Sequence, residues 1–245
     1  MNIGDKIVKL AKKKKLHFSL IDPDKQKPKD AGKIAKTVTE AGSSAIMVGG
    51  STISSQKQVD ETVKAIKENS SLPIILFPSC AKFLSKYADA VFFMSLLNSR
   101  NIDYIIREHV KGAHFVKQSG LEPISMGYVI VEPGMTAGKV GDADLIKKDD
   151  LETAVGYALA AEYLGMKLLY FEAGSGANYP VSDEMITTVK ENTNIPLIVG
   201  GGIRTVDAAR EKVQAGADII ITGTTLEKEK NLKKTLTEII KAIEE

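Results

Sequence analysis

The chain has 245 residues, 43% of them hydrophobic and 26% charged, and its 33 basic and 31 acidic side chains leave a net charge of only +2. That balance gives no electrostatic reason for a nucleic-acid partner, and a single cysteine, Cys80, excludes an internal disulfide framework and suits a reducing compartment. No apolar run reaches the roughly 20 residues needed to span a bilayer, and the opening MNIGDKIVKLAKKKK lacks the apolar core of a secretion signal, so a cytoplasmic protein is expected.

Residues 3–14 read as a short basic helix with Ile3, Ile7, Val8 and Leu10 on one side. With its lysine run at 12–15 it is foremost a solvated cap over the bottom of a barrel; a weak contact with an anionic membrane surface is the second reading. Strand signals follow at 16–23, 45–51, 73–78, 90–97, 124–133, 167–174, the run opening at Pro196, and the run opening at Ala217. Helices are predicted at 28–42, 55–70, 101–112, 150–164, 182–192, around TVDAAREKVQAG, and at 231–244. Only residues 79–89 separate the third and fourth strands, too few for an ordinary crossover, so the third helix is expected to be short or irregular. The Gly-rich stretch 134–146 reads equally as a lid and as a plain insertion. Eight strands alternating with helices, with no linker between them, give an α/β fold: one (β/α)8 barrel of the TIM type as a single domain over 1–245.

The active site of such a barrel gathers at the C-terminal ends of its strands. The last two strands end in glycines, Gly200 to Gly202 and Gly223, where backbone N–H groups can approach an anion with no Cβ in the way. The turn Gly174-Ser175-Gly176 adds a third arm, and three such arms on consecutive strands point to a phosphorylated small ligand. Alternation along the sixth strand puts Tyr170 and Glu172 on one face. If that face is the inner one, Glu172 is a candidate general base; a structural carboxylate is the plainer reading. Asp22 and Ser51 end neighbouring strands and could offer hard oxygens to Mg²⁺, although Asp22 before Pro23 equally suits a turn. The three histidines miss every predicted strand end.

Taken together, SLIDPD (19–24), IMVGGST (46–52), FFMSLLNS (92–99), GYVIVEPG (127–134), YFEAGSGA (170–177), VGGGIR (199–204) and ITGT (221–224) resemble the geranylgeranylglyceryl phosphate synthase family and its bacterial heptaprenylglyceryl phosphate relatives. The resemblance implies a prenyltransferase in archaeal-type lipid synthesis. The 3-hydroxyl of sn-glycerol 1-phosphate attacks C1 of a polyprenyl diphosphate, with geranylgeranyl diphosphate the expected donor, and diphosphate leaves. It implies a glycerol phosphate site over Tyr170, Phe171, Glu172, Ala173, Gly174, Ser175, Gly176, Gly201, Gly202, Gly223 and Thr224, with Glu172 and Tyr170 catalytic. It implies Mg²⁺ on Asp22 and Ser51, an apolar groove along the early strands and helices, and a homo-oligomer. The alternatives are a barrel isomerase or lyase acting on another phosphorylated metabolite, which leaves YFEAGSGA unexplained, and a phosphate sensor without catalysis.

Overall fold

In a computed structural model, which describes residues 1–224, 229 and 231–245, eight parallel strands close into a barrel in chain order. They are β1 (Leu16–Ile21), β2 (Ala45–Gly49), β3 (Ile74–Phe77), β4 (Ala90–Leu96), β5 (Glu122–Ile130), β6 (Leu168–Glu172), β7 (Leu197–Gly200) and β8 (Ile219–Thr222). Nearly every strand residue is buried, as expected of a parallel sheet covered on both sides. The barrel is sealed by β8 against β1, from Leu16 beside Ile219 to Ser19 beside Thr222.

Alternation sorts the strand side chains into two sets. Phe18, Met47, Ile75, Phe92, Met126, Leu168, Ile198 and Ile219 fill the barrel's interior. Their neighbours in sequence, such as Ile46, Val91, Leu169, Val199 and Ile220, face the helices in two outer layers. The first helix, α1 (Ile3–Ala11), closes the bottom, with Ile7 and Ala11 joining the interior cluster. This supports the reading of the N-terminal segment as a cap. The Glu122 carboxylate at the start of β5 clamps it there, accepting from the Ile3 and Gly4 N–H groups at 2.5 and 2.7 Å. Those are unpaired first-turn donors at the positive end of a helix. Glu122→Ala is expected to lower stability by about 1–2 kcal/mol, read as a fall in the midpoint of denaturant unfolding; an unchanged midpoint would show that the clamp contributes nothing.

Around the barrel run α2 (Pro28–Ala41), α3 (Gln56–Asn69), α4 (Glu108–Ser119), α5 (Met135–Val140), α6 (Leu151–Tyr163), α7 (Asp183–Asn192), α8 (Val206–Gln214) and α9 (Leu232–Glu244). Gly42 stops α2 in the left-handed conformation, as its position predicts. Between β3 and β4 there is no α-helix, only a 3₁₀ turn at Ala81–Phe83.

Three boundaries depart from the sequence reading. The fourth helix, expected at 101–112, enters through a π turn at Asp103–Arg107 and runs on to Ser119. Strand β5 ends at Ile130, so Glu132 lies beyond it, before a cis bond to Pro133. The stretch 134–146 is not a bare loop, since it contains α5 and is tied down at both ends. Asn98 bonds the Ile130 and Asp144 carbonyls, each at 2.8 Å, and Ser99 bonds the Gly141 carbonyl at 2.6 Å. Among the described residues no helix is long and apolar enough to cross a membrane.

Candidate active site

The inner face of β6 carries Leu168, Tyr170 and Glu172 up to the barrel's mouth. Tyr170 is fully buried and Glu172 is 6% exposed, so the carboxylate sits out of bulk water. The Tyr170 hydroxyl donates to Glu172 Oε2, and the Gly174 N–H donates to Oε1 at 2.6 Å. Burial pushes the Glu172 carboxyl above the ordinary carboxylate range, and these two donors offset only part of that rise. Burial also raises the phenols of Tyr170 and Tyr128 well above their usual value, so both stay protonated. The result is a carboxylate with a raised proton affinity, held in one rotamer by two donors. Such a group is suited to taking a proton from a hydroxyl.

The glycines of β7 are as much a consequence of that pair as of any ligand. A Cβ on Gly200 would lie 2.3 Å from the Tyr170 hydroxyl, and one on Gly201 would lie 2.4 Å from Glu172 Oε1. A Cβ on Gly202 would run into the backbone of Tyr179 and Pro180 at 2.9 Å. The string therefore makes room for Tyr170 and Glu172 and also bares its backbone at the mouth.

Above the pair lies a pocket walled by Leu20, Ser175, Gly201, Gly202, Gly223 and Thr224, with Tyr170 and Glu172 in its floor. Its two arms touch where Ser175 Oγ meets Thr224 Oγ1 at 3.1 Å. Arg204 also borders it, donating to the Ala177 carbonyl at 2.7 Å and bracing the turn after β6. Thr225, next along the predicted glycine-ended run, lies outside the described residues.

Two expected contacts do not survive as side-chain contacts. Phe171 and Ala173 alternate with Tyr170 and Glu172, so their side chains point outward into the layer under the helices, fully buried with Val129, Val199 and Ile220. The Ala173 N–H is spent on the Gly200 carbonyl at 3.1 Å.

Asp22 and Ser51 follow the ends of the neighbouring strands β1 and β2. The Asp22 carboxylate lies against Gly50, where a Cβ would be 2.4 Å from Oδ2, and Oδ1 accepts from the Asp24 N–H at 3.0 Å. Ser51 is the next residue after Gly50. One carboxylate and one hydroxyl at adjacent strand ends form a hard, oxygen-only donor set, which fits Mg²⁺ that keeps waters or takes further oxygens from a phosphate. The absence of any Cβ at position 50 is what lets the carboxylate sit there.

Beside the mouth, a largely apolar cleft enters the barrel wall. It opens where the third helix is missing. Phe77, Phe93, Met94, Tyr104, Val116 and Val140 are among its walls. His109 lies there too, edge-on to the Phe93 ring at 4.6 Å, with Nδ1 buried and unbonded among the described residues. Burial pushes that imidazole down, which keeps it neutral among apolar neighbours. Sequence reasoning missed these residues, since nothing in their spacing marks a groove; the one available signal was the shortness of the connection at 79–89. Cleft and glycine-walled pocket meet at an aromatic wall. Phe77 packs against Tyr128 at 5.4 Å between centroids, and Tyr128 against Tyr170 at 5.1 Å.

Comparison with known proteins yields one family and a set of near relatives. The model of the PcrB family matches residues 8–243. The geranylgeranylglyceryl phosphate synthase of Thermococcus sibiricus is 56% identical over 237 residues, 96% of this chain and 93% of its own. That of Picrophilus torridus is 49% identical over 99% of this chain and 100% of its own. Among solved structures, (S)-3-O-geranylgeranylglyceryl phosphate synthase from Thermoplasma acidophilum, in complex with its substrate sn-glycerol-1-phosphate, superposes with a TM-score of 0.97. It is 44% identical, and the match covers 100% of this chain and 99% of the other.

Proposed function

This chain belongs to the PcrB family, and from that membership we propose that it joins a prenyl chain to sn-glycerol 1-phosphate, as a geranylgeranylglyceryl phosphate synthase. The observation that carries the proposal is the junction of two unlike sites at one carboxylate. A glycine-walled pocket suited to a phosphate and an apolar cleft suited to a prenyl tail meet at Glu172 across the Phe77–Tyr128–Tyr170 wall. An isomerase or lyase acting on a phosphorylated metabolite needs the pocket but has no use for the cleft.

In this reading the phosphate of sn-glycerol 1-phosphate rests on backbone N–H groups of Gly201, Gly202, Gly223, Ser175 and Gly176, with the Ser175 and Thr224 hydroxyls beside it. The glycerol 3-hydroxyl then lies over Glu172, which takes its proton as the oxygen attacks C1 of the donor. Tyr170, held protonated, orients the carboxylate and stabilises its charged form through its hydrogen bond. The tail of geranylgeranyl diphosphate occupies the cleft, which excludes water from the reacting carbon. Asp22 and Ser51 would hold Mg²⁺, which neutralises charge on the departing diphosphate. The bond formed is the ether C–O, the bond broken is C1–O of the diphosphate, and the proton goes to Glu172 Oε. A homo-oligomer is expected from the family resemblance.

The test is a mass-spectrometric assay with sn-glycerol 1-phosphate, Mg²⁺ and a ladder of prenyl diphosphates. A prenyl glyceryl ether phosphate is the expected product, with geranylgeranyl the preferred rung. Chelation with EDTA is expected to stop the reaction and added Mg²⁺ to restore it. No product on any rung despite bound glycerol phosphate refutes the reading; turnover that persists in chelator refutes the metal role of Asp22 and Ser51.

A further inference from the structure

Polar groups are scarce in the layers between sheet and helices, and one chain of them is buried there, reaching the pocket above Glu172 at one end only, through Thr222 in its lining. His17 on β1 is 1% exposed. Its Nδ1 lies 2.9 Å from Ser43 Oγ and its Nε2 lies 2.9 Å from Thr222 Oγ1. Ser43 in turn meets Ser19 Oγ at 2.8 Å. Ser19, Ser43 and Thr222 are all buried, so each hydroxyl depends on this chain. A neutral imidazole donates from one nitrogen and accepts at the other, and a hydroxyl at each end can supply the complement. Burial pushes the imidazole down to about 3, so the ring stays neutral throughout the working range.

Thr222 is the last residue of β8 and the last to pair with β1, opposite Ser19. Gly223 and Thr224 follow at once, and they form one arm of the phosphate pocket. Beyond the ladder, that arm meets the opposite one through the Ser175–Thr224 contact. The side-chain fastening at its root is the bond from His17. Ser43 ties the same ring to the start of β2 just after α2, so the ring cannot swing without breaking its second bond.

We propose that His17 is a positioning residue for the phosphate pocket: through Thr222 it fixes the direction in which Gly223 and Thr224 leave β8. The proposal rests on the reading of that pocket as the sn-glycerol 1-phosphate site. It separates two roles on one strand, since β1 sends Asp22 to the metal site at its end and uses His17 lower down to shape the opposite substrate's seat.

The experiment is calorimetric titration of the full chain with sn-glycerol 1-phosphate, comparing wild type, His17→Leu, Thr222→Val and Thr222→Ser, alongside the KM for geranylgeranyl diphosphate. Thr222→Val keeps the shape of the side chain and removes its hydroxyl, while Thr222→Ser keeps the hydroxyl. Losing one buried hydrogen bond is expected to weaken glycerol phosphate binding about fivefold or more in Thr222→Val and His17→Leu, with Thr222→Ser within about twofold of wild type. The KM for the prenyl donor is expected to stay within about twofold throughout, because the cleft lies across the barrel. A merely structural role would loosen both substrates alike, and that result overturns the proposal, as does wild-type affinity in Thr222→Val. Should His17→Leu fail to fold, the valine and serine pair decides alone. A wild-type chain that binds no glycerol phosphate would bring down the pocket reading itself, and the proposal with it.

Discussion

Replacing Glu172 by glutamine is expected to cut turnover by about 100-fold or more, the loss typical of a removed general base, while sn-glycerol 1-phosphate still binds. Glutamine keeps the shape and can still accept from the Gly174 N–H, so the pocket above it should persist. Wild-type turnover in this variant would remove Glu172 from the mechanism. The same side chain makes a second, opposite prediction. Burial holds its carboxyl above the ordinary carboxylate range, so the folded state binds the proton more tightly than the unfolded chain does. The stability this contributes is complete below the ordinary carboxylate pKa and is lost as the pH rises through the raised value. Above the raised value the wild type has lost it and the glutamine variant has nothing to lose. Glu172→Gln should therefore melt at or above the wild-type temperature on the alkaline side of that transition, an advantage that shrinks as the pH falls through it. A clear fall in melting temperature there would mean that the ionised carboxylate is a structural support. Wild-type activity should fall on acidification as Glu172 gains its proton, with the fall lying above the ordinary carboxylate range.

Gly201→Ala is expected to be as damaging to turnover by a different route. The new Cβ would lie 2.4 Å from Glu172 Oε1 and 2.6 Å from the Gly174 nitrogen, at a residue whose φ is +81°. Neither neighbour is the free end of a flexible chain: one is the base and the other is backbone holding it. The carboxylate must leave its two donors, and turnover should fall about 100-fold with a stability loss of roughly 1–3 kcal/mol. Gly223→Ala is the control, since its Cβ would meet only Leu20, at 3.5 Å or beyond. It should leave stability intact. Gly201→Ala with wild-type turnover and stability would mean that Glu172 does not occupy the position described.

The barrel was legible because its signal is redundant. Eight apolar runs, each ended by polar or glycine residues, over-determine a closed parallel sheet, and the pairing of Tyr170 with Glu172 follows from alternation alone. What was misread turned mostly on glycine, which marks a missing Cβ without saying why it is missing. The fourth helix was expected over 101–112, yet Gly112 sits mid-helix where α4 crosses Leu84 and Ala81, and the stop is Gly120 in the left-handed conformation. Gly138 and Gly141 made 134–146 look like a loose loop, whereas they let α5 settle onto Leu145 and Leu96. Phe171 and Ala173 were drawn into the expected site by their place in a motif, while the two-residue repeat of the strand turns them away. The cleft was not legible because its walls come from β3, β4 and α4 together, and no local pattern records such a meeting. The His17 chain was hidden for the same reason: its partners are 26 and 205 residues away.

The 3₁₀ turn at Ala81–Phe83 stands where every other crossover of the barrel has a helix. If the cleft beside it holds a prenyl tail, as proposed, the missing stave would be supplied from outside, since the tail would lie in the space a helix would fill. The lipid would then act as a removable piece of architecture as well as a reactant. On that reading, longer sequence between β3 and β4 would complete the ring of helices and by the same act evict the substrate.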